Sequence, residues 1–177
     1  MRMVDGMNWY IVSHRDLSTT EEMRIAELKD QHWPYGLESQ ILWMKENTEI
    51  DDVHLMGKDS AETDSVLYAY MTLSNIKATI DGKDEEFIGV GGVCVDKNLQ
   101  GSGVGKQLVE VADRYINGQG KSGILLCKDV LVGFYEKCGW KMMRYGAAYV
   151  AQKPYTHLIM FLNEERTCDK IVIDRNF

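Results

Sequence analysis

The run Val93-Cys94-Val95-Asp96-Lys97-Asn98-Leu99-Gln100-Gly101-Ser102-Gly103-Val104-Gly105-Lys106 constrains this chain more than any other feature of its sequence. An apolar strand, a glycine-rich loop and a helix follow one another with almost no spacer. From Gly103 to Asn117, Val104, Leu108, Val111, Ala112 and Tyr115 recur at helical spacing, whereas Lys106, Glu110, Asp113 and Arg114 lie off that stripe. The first N–H groups of a helix have no intrahelical acceptor, and the helix dipole adds partial positive charge there. A loop of this kind therefore suits a phosphate or diphosphate, with glycines permitting close approach.

Two familiar phosphate loops are excluded by spacing. A Walker A loop needs G-x-x-x-x-G-K-[ST]; Gly101 to Gly105 is one residue short, and Gln107 stands where the magnesium-binding hydroxyl belongs. The dinucleotide fingerprint needs G-x-G-x-x-G after a first parallel strand, whereas this loop reads G-x-G-x-G and follows an antiparallel meander.

That meander is legible upstream. Asn8 to Ser13 is rich in β-branched and aromatic residues and predicts a strand. Ser18-Thr19-Thr20-Glu21-Glu22 holds two overlapping capping boxes that open a helix running to about Gln31, and a second helix spans about Leu37 to Asn47. Strands are predicted at Val53 to Lys58, Ser65 to Ile80 and Phe87 to Val95, with Asp81-Gly82-Lys83-Asp84 as a tight turn. Beyond the clear helix, Ser122 to Cys127 reads as a buried strand and Asp129 to Lys137 as a short helix stopped by Gly139. Further strands are predicted around Trp140 to Tyr145 and Thr156 to Leu162, and Lys170-Ile-Val-Ile-Asp suggests one more in the tail.

With 177 residues and 2 prolines, one domain is expected and a disordered linker is not. The apolar stretch Phe87 to Val95 is about half the length of a membrane span. Met1 to Gly6 carries no secretion signal, and Cys94, Cys127, Cys138 and Cys168 contain no C-x-x-C pair, so the expectation is a cytoplasmic protein with reduced thiols and no metal centre. A net charge of −7 disfavours nucleic-acid backbones as partners.

Two motifs together make the sequence resemble the GCN5-related N-acetyltransferase (GNAT) family. The acetyl-CoA signature Q/R-x-x-G-x-G/A is met by Gln100-Gly101-Ser102-Gly103-Val104-Gly105, preceded by the hydrophobic strand Val93, Cys94, Val95. A tyrosine on a short helix followed by a Gly-aromatic pair is met by Phe134-Tyr135-Glu136-Lys137-Cys138-Gly139-Trp140. The resemblance implies an α/β (α+β) acyl-CoA N-acyltransferase fold: a mixed, largely antiparallel sheet splayed between strands 4 and 5 and flanked by helices. It implies a single domain over 1–177, with its core at about 8–162 and 163–177 as a C-terminal extension.

It also implies roles. The backbone of Val93 and Val95 would pair with the pantetheine arm, and N–H groups from Gly101, Ser102, Gly103, Val104 and Gly105 would hold the diphosphate, with Gln100 opening the loop and Lys106 adding charge. Tyr135 would be the general acid for the departing thiolate. A backbone N–H near Cys94 or Val95 would stabilise the oxyanion as a primary amine of a small molecule or peptide attacks acetyl-CoA through a tetrahedral intermediate.

The family's strand glutamate has no counterpart, since Gly91 and Gly92 occupy that region. Glu85, Glu86, Asp52, His54, His157, the Phe177 carboxylate and a water chain all stand as sources of a base. The Tyr-x-x-x-Gly-Trp pattern and the C-terminal extension are also similar to aminoglycoside 2′-N-acetyltransferases. A noncatalytic acyl-CoA-binding module and a tRNA-acetylating toxin are the alternatives. A homodimer through the tail strand is compatible with the sequence.

Overall fold

The computed structural model describes residues 7–177, so the reading of Met1 to Gly6 falls outside the described residues. The described residues form nine strands and four α-helices, arranged in two compact units that share the long strands β3 (Leu67–Ile80) and β4 (Lys83–Val95) and the helix α3 (Val104–Gly118). No helix among them is long and apolar enough to cross a membrane.

The first unit comprises residues up to Ser74 together with Gly92–Ala112. It contains β1 (Asn8–Ser13), α1 (Thr19–Asp30), α2 (Leu37–Asn47) and β2 (Val53–Lys58). β1 pairs antiparallel with β2, although two helices separate them in the chain, and β2 pairs antiparallel with β3 across a polar turn. Of the two overlapping capping boxes, Ser18 with Glu21 is formed: the Ser18 hydroxyl accepts from the Glu21 N–H, and the Glu21 carboxylate accepts from the Ser18 N–H. Ile25 and Leu28 of α1 and Met44 of α2 pack on Met56, Leu67, Tyr70 and Cys94, and this cluster fixes both helices on one face of the strands.

The second unit comprises Asn75–Gly91 and Asp113–Phe177. β5 (Ser122–Cys127) runs parallel to β4, and their ladder extends only from Phe87–Ser122 to Val90–Leu125, although each strand continues beyond it. Next in order come β8 (Leu158–Leu162), β6 (Trp140–Val150) and β7 (Lys153–Pro154). The short helix α4 (Val132–Lys137) follows a 3-10 turn at Asp129–Leu131, so the predicted helix is a composite of the two. Phe87, Ile124, Ile159, Phe161, Ile171 and Ile173 form the core, with Phe87 and Phe161 edge to face. Trp140 is buried and donates its indole N–H to Asp113, 3.2 Å away.

Two differences from the sequence reading have one cause. β6 continues to Val150, well past Tyr145, because β9 (Arg166–Ile173) pairs with it in parallel from Met143 to Val150. Gly146, just past the predicted strand end at Tyr145, is a strand glycine whose Cβ would stand 2.7 Å from the Asp169 carbonyl oxygen. β9 also pairs antiparallel with Ala78–Ile80 of β3, so Ile171 and Ile173 are buried inside the chain's own sheet.

Candidate functional site

In the first unit β4 ends on a dense set of polar contacts. His32 donates Nε2–H to the Val95 carbonyl at 2.8 Å, since a carbonyl oxygen can only accept. Asp96 then caps the 3-10 turn Lys97–Leu99, accepting from the Asn98 N–H at 2.9 Å and from the Gln31 amide at 3.1 Å. Burial pushes the Asp96 carboxyl up, but these hydrogen bonds outweigh it and leave the group below its ordinary range.

The glycine loop follows. Gly101 and Gly103 have φ of 75° and 94°, a region that side chains strain to enter, and a Cβ on either would meet nothing within 4 Å. Open space therefore lies over both. The first intrahelical bond of α3 runs from the Gln107 N–H to the Gly103 carbonyl, leaving the N–H groups of Val104, Gly105 and Lys106 without an intrahelical acceptor. Bare amides, open space above two glycines and a helix N-terminus form a cradle that fits a diphosphate. Gln100 is exposed, Ser102 donates its hydroxyl to the Leu99 carbonyl, and Lys106 lies 3.6 Å from Glu110 across an exposed helix turn.

Cys94 turns its side chain away from that chemistry. It is 3% exposed within the helix-covered cluster, and burial pushes its thiol up to about 12, so only its backbone is a candidate for the site. Trp33 packs partly buried on the same cluster. Trp43 lies under the Lys29 ammonium at 4.4 Å from the ring centroid, whereas Tyr35 is exposed. Lys29 is itself buried, which holds its amine below the usual range.

Most of the proposed bases are engaged elsewhere. Glu85 pairs with Arg166 at 2.7 Å, Glu86 with Lys121 at 3.1 Å, and buried Asp52 accepts from the Glu49 N–H at 2.9 Å. His157 is exposed, with its carbonyl taken by the Tyr145 hydroxyl. His54 is different. Fully buried, it joins His14 to Tyr70 and Thr72 through a hydrogen-bonded row. Tyr70 and Thr72 lie two apart on β3 and so share a face, but ordinary strand residues carry no mark of such a role in the sequence.

In the second unit Tyr135 sits on α4, 5% exposed, edge to face with Phe134 at 5.0 Å and Trp140 at 6.3 Å. Burial first, then the neighbouring Cys127 and Cys138, pushes its phenol well above the ordinary range, so the ring keeps its proton. Phe177 lies on β4: a Cβ at Gly89 would stand 2.6 Å from its ring, and one at Gly91 would stand 2.4 Å from its main-chain carbonyl carbon. The tail thus fills the space that a glutamate at 91 would need. Among the described residues, no three His, Cys, Asp or Glu side chains gather as a metal site.

The family model for the acetyltransferase (GNAT) domain matches residues 61–142, which include the loop, β5 and α4. A search of curated proteins by sequence finds no match. Among solved structures the chain is similar to an acyl-CoA N-acyltransferase from Pseudomonas aeruginosa, with TM-score 0.64, 19% identity, and 88% of this chain and 99% of that one covered. Escherichia coli ElaA gives TM-score 0.62 at 21% identity, covering 88% and 99%. The GNAT family N-acetyltransferase YhbS of Escherichia coli, solved with CoA, gives 0.61 at 14% identity, covering 97% and 93%. Residues 61–142 thus match the acetyltransferase (GNAT) domain model, and the chain has the fold of the GNAT acyltransferases.

Proposed function

We propose that the protein transfers an acetyl group from acetyl-CoA to a primary amine of a small molecule or peptide. The observation that carries this reading is the cradle at 101–106: two positive-φ glycines under open space at the start of a long amphipathic helix. The GNAT match across the same residues and the CoA held by the YhbS structure support it.

In this reading main-chain amides of Gly101, Gly103, Val104 and Gly105 hold the coenzyme's diphosphate, while the expected Ser102 N–H is bonded to the Leu99 carbonyl at 3.2 Å; Gln100 stands at the loop's start and Lys106 exchanges Glu110 for a phosphate oxygen. Val93 and Val95 offer backbone groups for strand addition to the pantetheine arm, and a N–H near Cys94 or Val95 meets the oxyanion. Tyr135, held neutral by burial, is the acid that returns a proton to the thiolate. The amine attacks the thioester carbon, the C–S bond breaks, and the products are an amide and free thiol.

A second reading, a noncatalytic coenzyme-binding module, is favoured by one observation: neither Gly91 nor Gly92 brings a carboxylate to the strand region where the resemblance expects one, and the tail fills the space beside Gly91. Calorimetric titration with CoA, followed by thiol release from acetyl-CoA across polyamines, aminoglycosides, amino acids and peptides, tests both. Binding with turnover is the expected result. Binding without turnover selects the second reading, and no binding overturns both.

A further inference from the structure

With glycine at 91 and 92, β4 offers the attacking amine no side-chain carboxylate there, and the Phe177 carboxyl group lies beside Gly91 rather than Gly92. The side of β4 at Gly92 supplies a different proton acceptor. Gly92 has φ of 60°, and a Cβ there would lie 3.4 Å from the Tyr70 ring and 3.6 Å from the Thr72 hydroxyl. A carboxylate at this position would project onto those two groups; in this chain they stand in its direction instead.

From Thr72 a row of hydrogen bonds leads outward. The Thr72 hydroxyl is 2.8 Å from Tyr70 Oη, Tyr70 Oη is 2.8 Å from His54 Nδ1, and His54 Nε2 is 3.0 Å from His14 Nδ1. Tyr70 and His54 are fully buried, Thr72 is 5% exposed, and His14 is only half-buried. Ser74, next on the same face of β3, has a hydroxyl that is buried and has no hydrogen-bond partner among the described residues. An internal polar network that existed only to satisfy itself would close on protein groups. This one stays open: its inner end, the Thr72 hydroxyl, lies towards β4 at Gly92, and its outer end is the half-buried imidazole of His14.

We propose that Thr72, Tyr70, His54 and His14 form a proton relay that carries the proton of the attacking amine from β4 at Gly92 to solvent at His14. The proposal rests on the transferase reading above. Of the two directions in which the row's hydrogen bonds are consistent, the relay needs the outward one. Thr72 donates to Tyr70, Tyr70 to His54 Nδ1, His54 Nε2–H to His14 Nδ1, and His14 Nε2–H to water. When the amine passes its proton to the Thr72 oxygen, each group hands on its own proton, and one proton leaves His14 Nε2. No residue retains a charge, and rotation of the hydroxyls and return of the tautomers reset the row.

The surroundings suit a conduit better than a resident base. His54 faces His14, Asp52, Lys29, Glu21 and Tyr70, and burial, aided by His14, holds its pKa down to about 4, so it passes a proton on without keeping it.

The test combines two readouts on the full chain. Long-range nitrogen–proton NMR of the histidine rings is expected to find His54 and His14 as Nε2–H tautomers at pH 7. A His54 protonated at Nδ1 reverses the middle link and overturns the relay, whether or not an amine substrate is known. Steady-state acetyl transfer is then compared in wild type, Tyr70→Phe and Thr72→Val, with folding checked by thermal melts. Either folded variant is expected to lose about 10- to 100-fold in kcat. The KM for acetyl-CoA should stay within about two-fold, and a bowed solvent-isotope proton inventory should become linear, which a packing defect alone would not produce. Undiminished kcat in both variants overturns the relay alone. Absence of turnover by wild type overturns the transferase reading and the relay's purpose with it.

Discussion

The ammonium of Lys58 lies 3.0 Å from the carboxylate of Glu21, with the two side chains 3% and 8% exposed. Glu21 is also the capping-box residue of α1, so a single carboxylate ties the helix start to β2.

Removing one member of such a pair leaves a buried charge alone. Lys58→Met is expected to destabilise the fold by about 3–5 kcal/mol, read from denaturant unfolding. The same contact has a pH signature. Burial pushes the Glu21 carboxyl up, but bonds from Lys58 and Ser18 outweigh it, and the folded value falls below the ordinary 4.5. The stability it contributes is complete above 4.5 and disappears as the pH drops through the lowered folded value.

His54 titrates in the same sense for another reason. Desolvation, then His14, takes its pKa from 6.5 to about 4, so the unfolded chain binds a proton that the folded chain refuses between those values. Stability is full above pH 6.5 and lost progressively towards pH 4, by about 3 kcal/mol in all. In His54→Gln the melting temperature should vary less with pH across that window than in wild type.

Gly103 tests the cradle. Alanine at φ 94° costs about 1–3 kcal/mol of backbone strain, and it also places a methyl group in the open space over the loop. Calorimetry with Gly103→Ala should show CoA affinity reduced by at least about tenfold. An unchanged affinity would separate the loop from coenzyme binding.

Tyr135→Phe keeps the ring that packs on Phe134 and Trp140 and removes only the hydroxyl. We expect kcat for acetyl transfer to fall by about 10²-fold, with coenzyme affinity and melting temperature little altered, as for a residue that acts on the leaving group.

Gly91→Ala brings a methyl group to 2.4 Å from the Phe177 main chain and should destabilise the protein by about 1–3 kcal/mol. A chain lacking Phe177 should tolerate the same change at much smaller cost, and a double-mutant cycle in chemical denaturation measures the coupling.

Much of the fold was legible because its signals are local. The bounds of β1, α2, β2 and β5 were readable from alternation, capping residues and turn glycines, and the Asp81-Gly82 turn adopts the positive φ that its residues imply. What escaped was non-local. Gly146 belongs to a strand only because Asp169 comes close, and the end of β6 was hidden for that reason. The loop glycines at 101 and 103 could be read from their spacing, and both adopt the positive φ that a tight turn into a helix asks of them. Tyr70 and Thr72 could not: the hydrogen-bonded row they join arises from a register that sets His54 opposite Thr72 on neighbouring strands.

Gly89 and Gly91 on one side and Phe177 on the other behave as a mortise and its tenon, though they lie in distant parts of the sequence. Neither half can be redesigned alone. Descendants of this chain that regain a bulky residue on that strand should have shortened or rerouted the tail in the same step, so the two places are expected to change in concert across lineages.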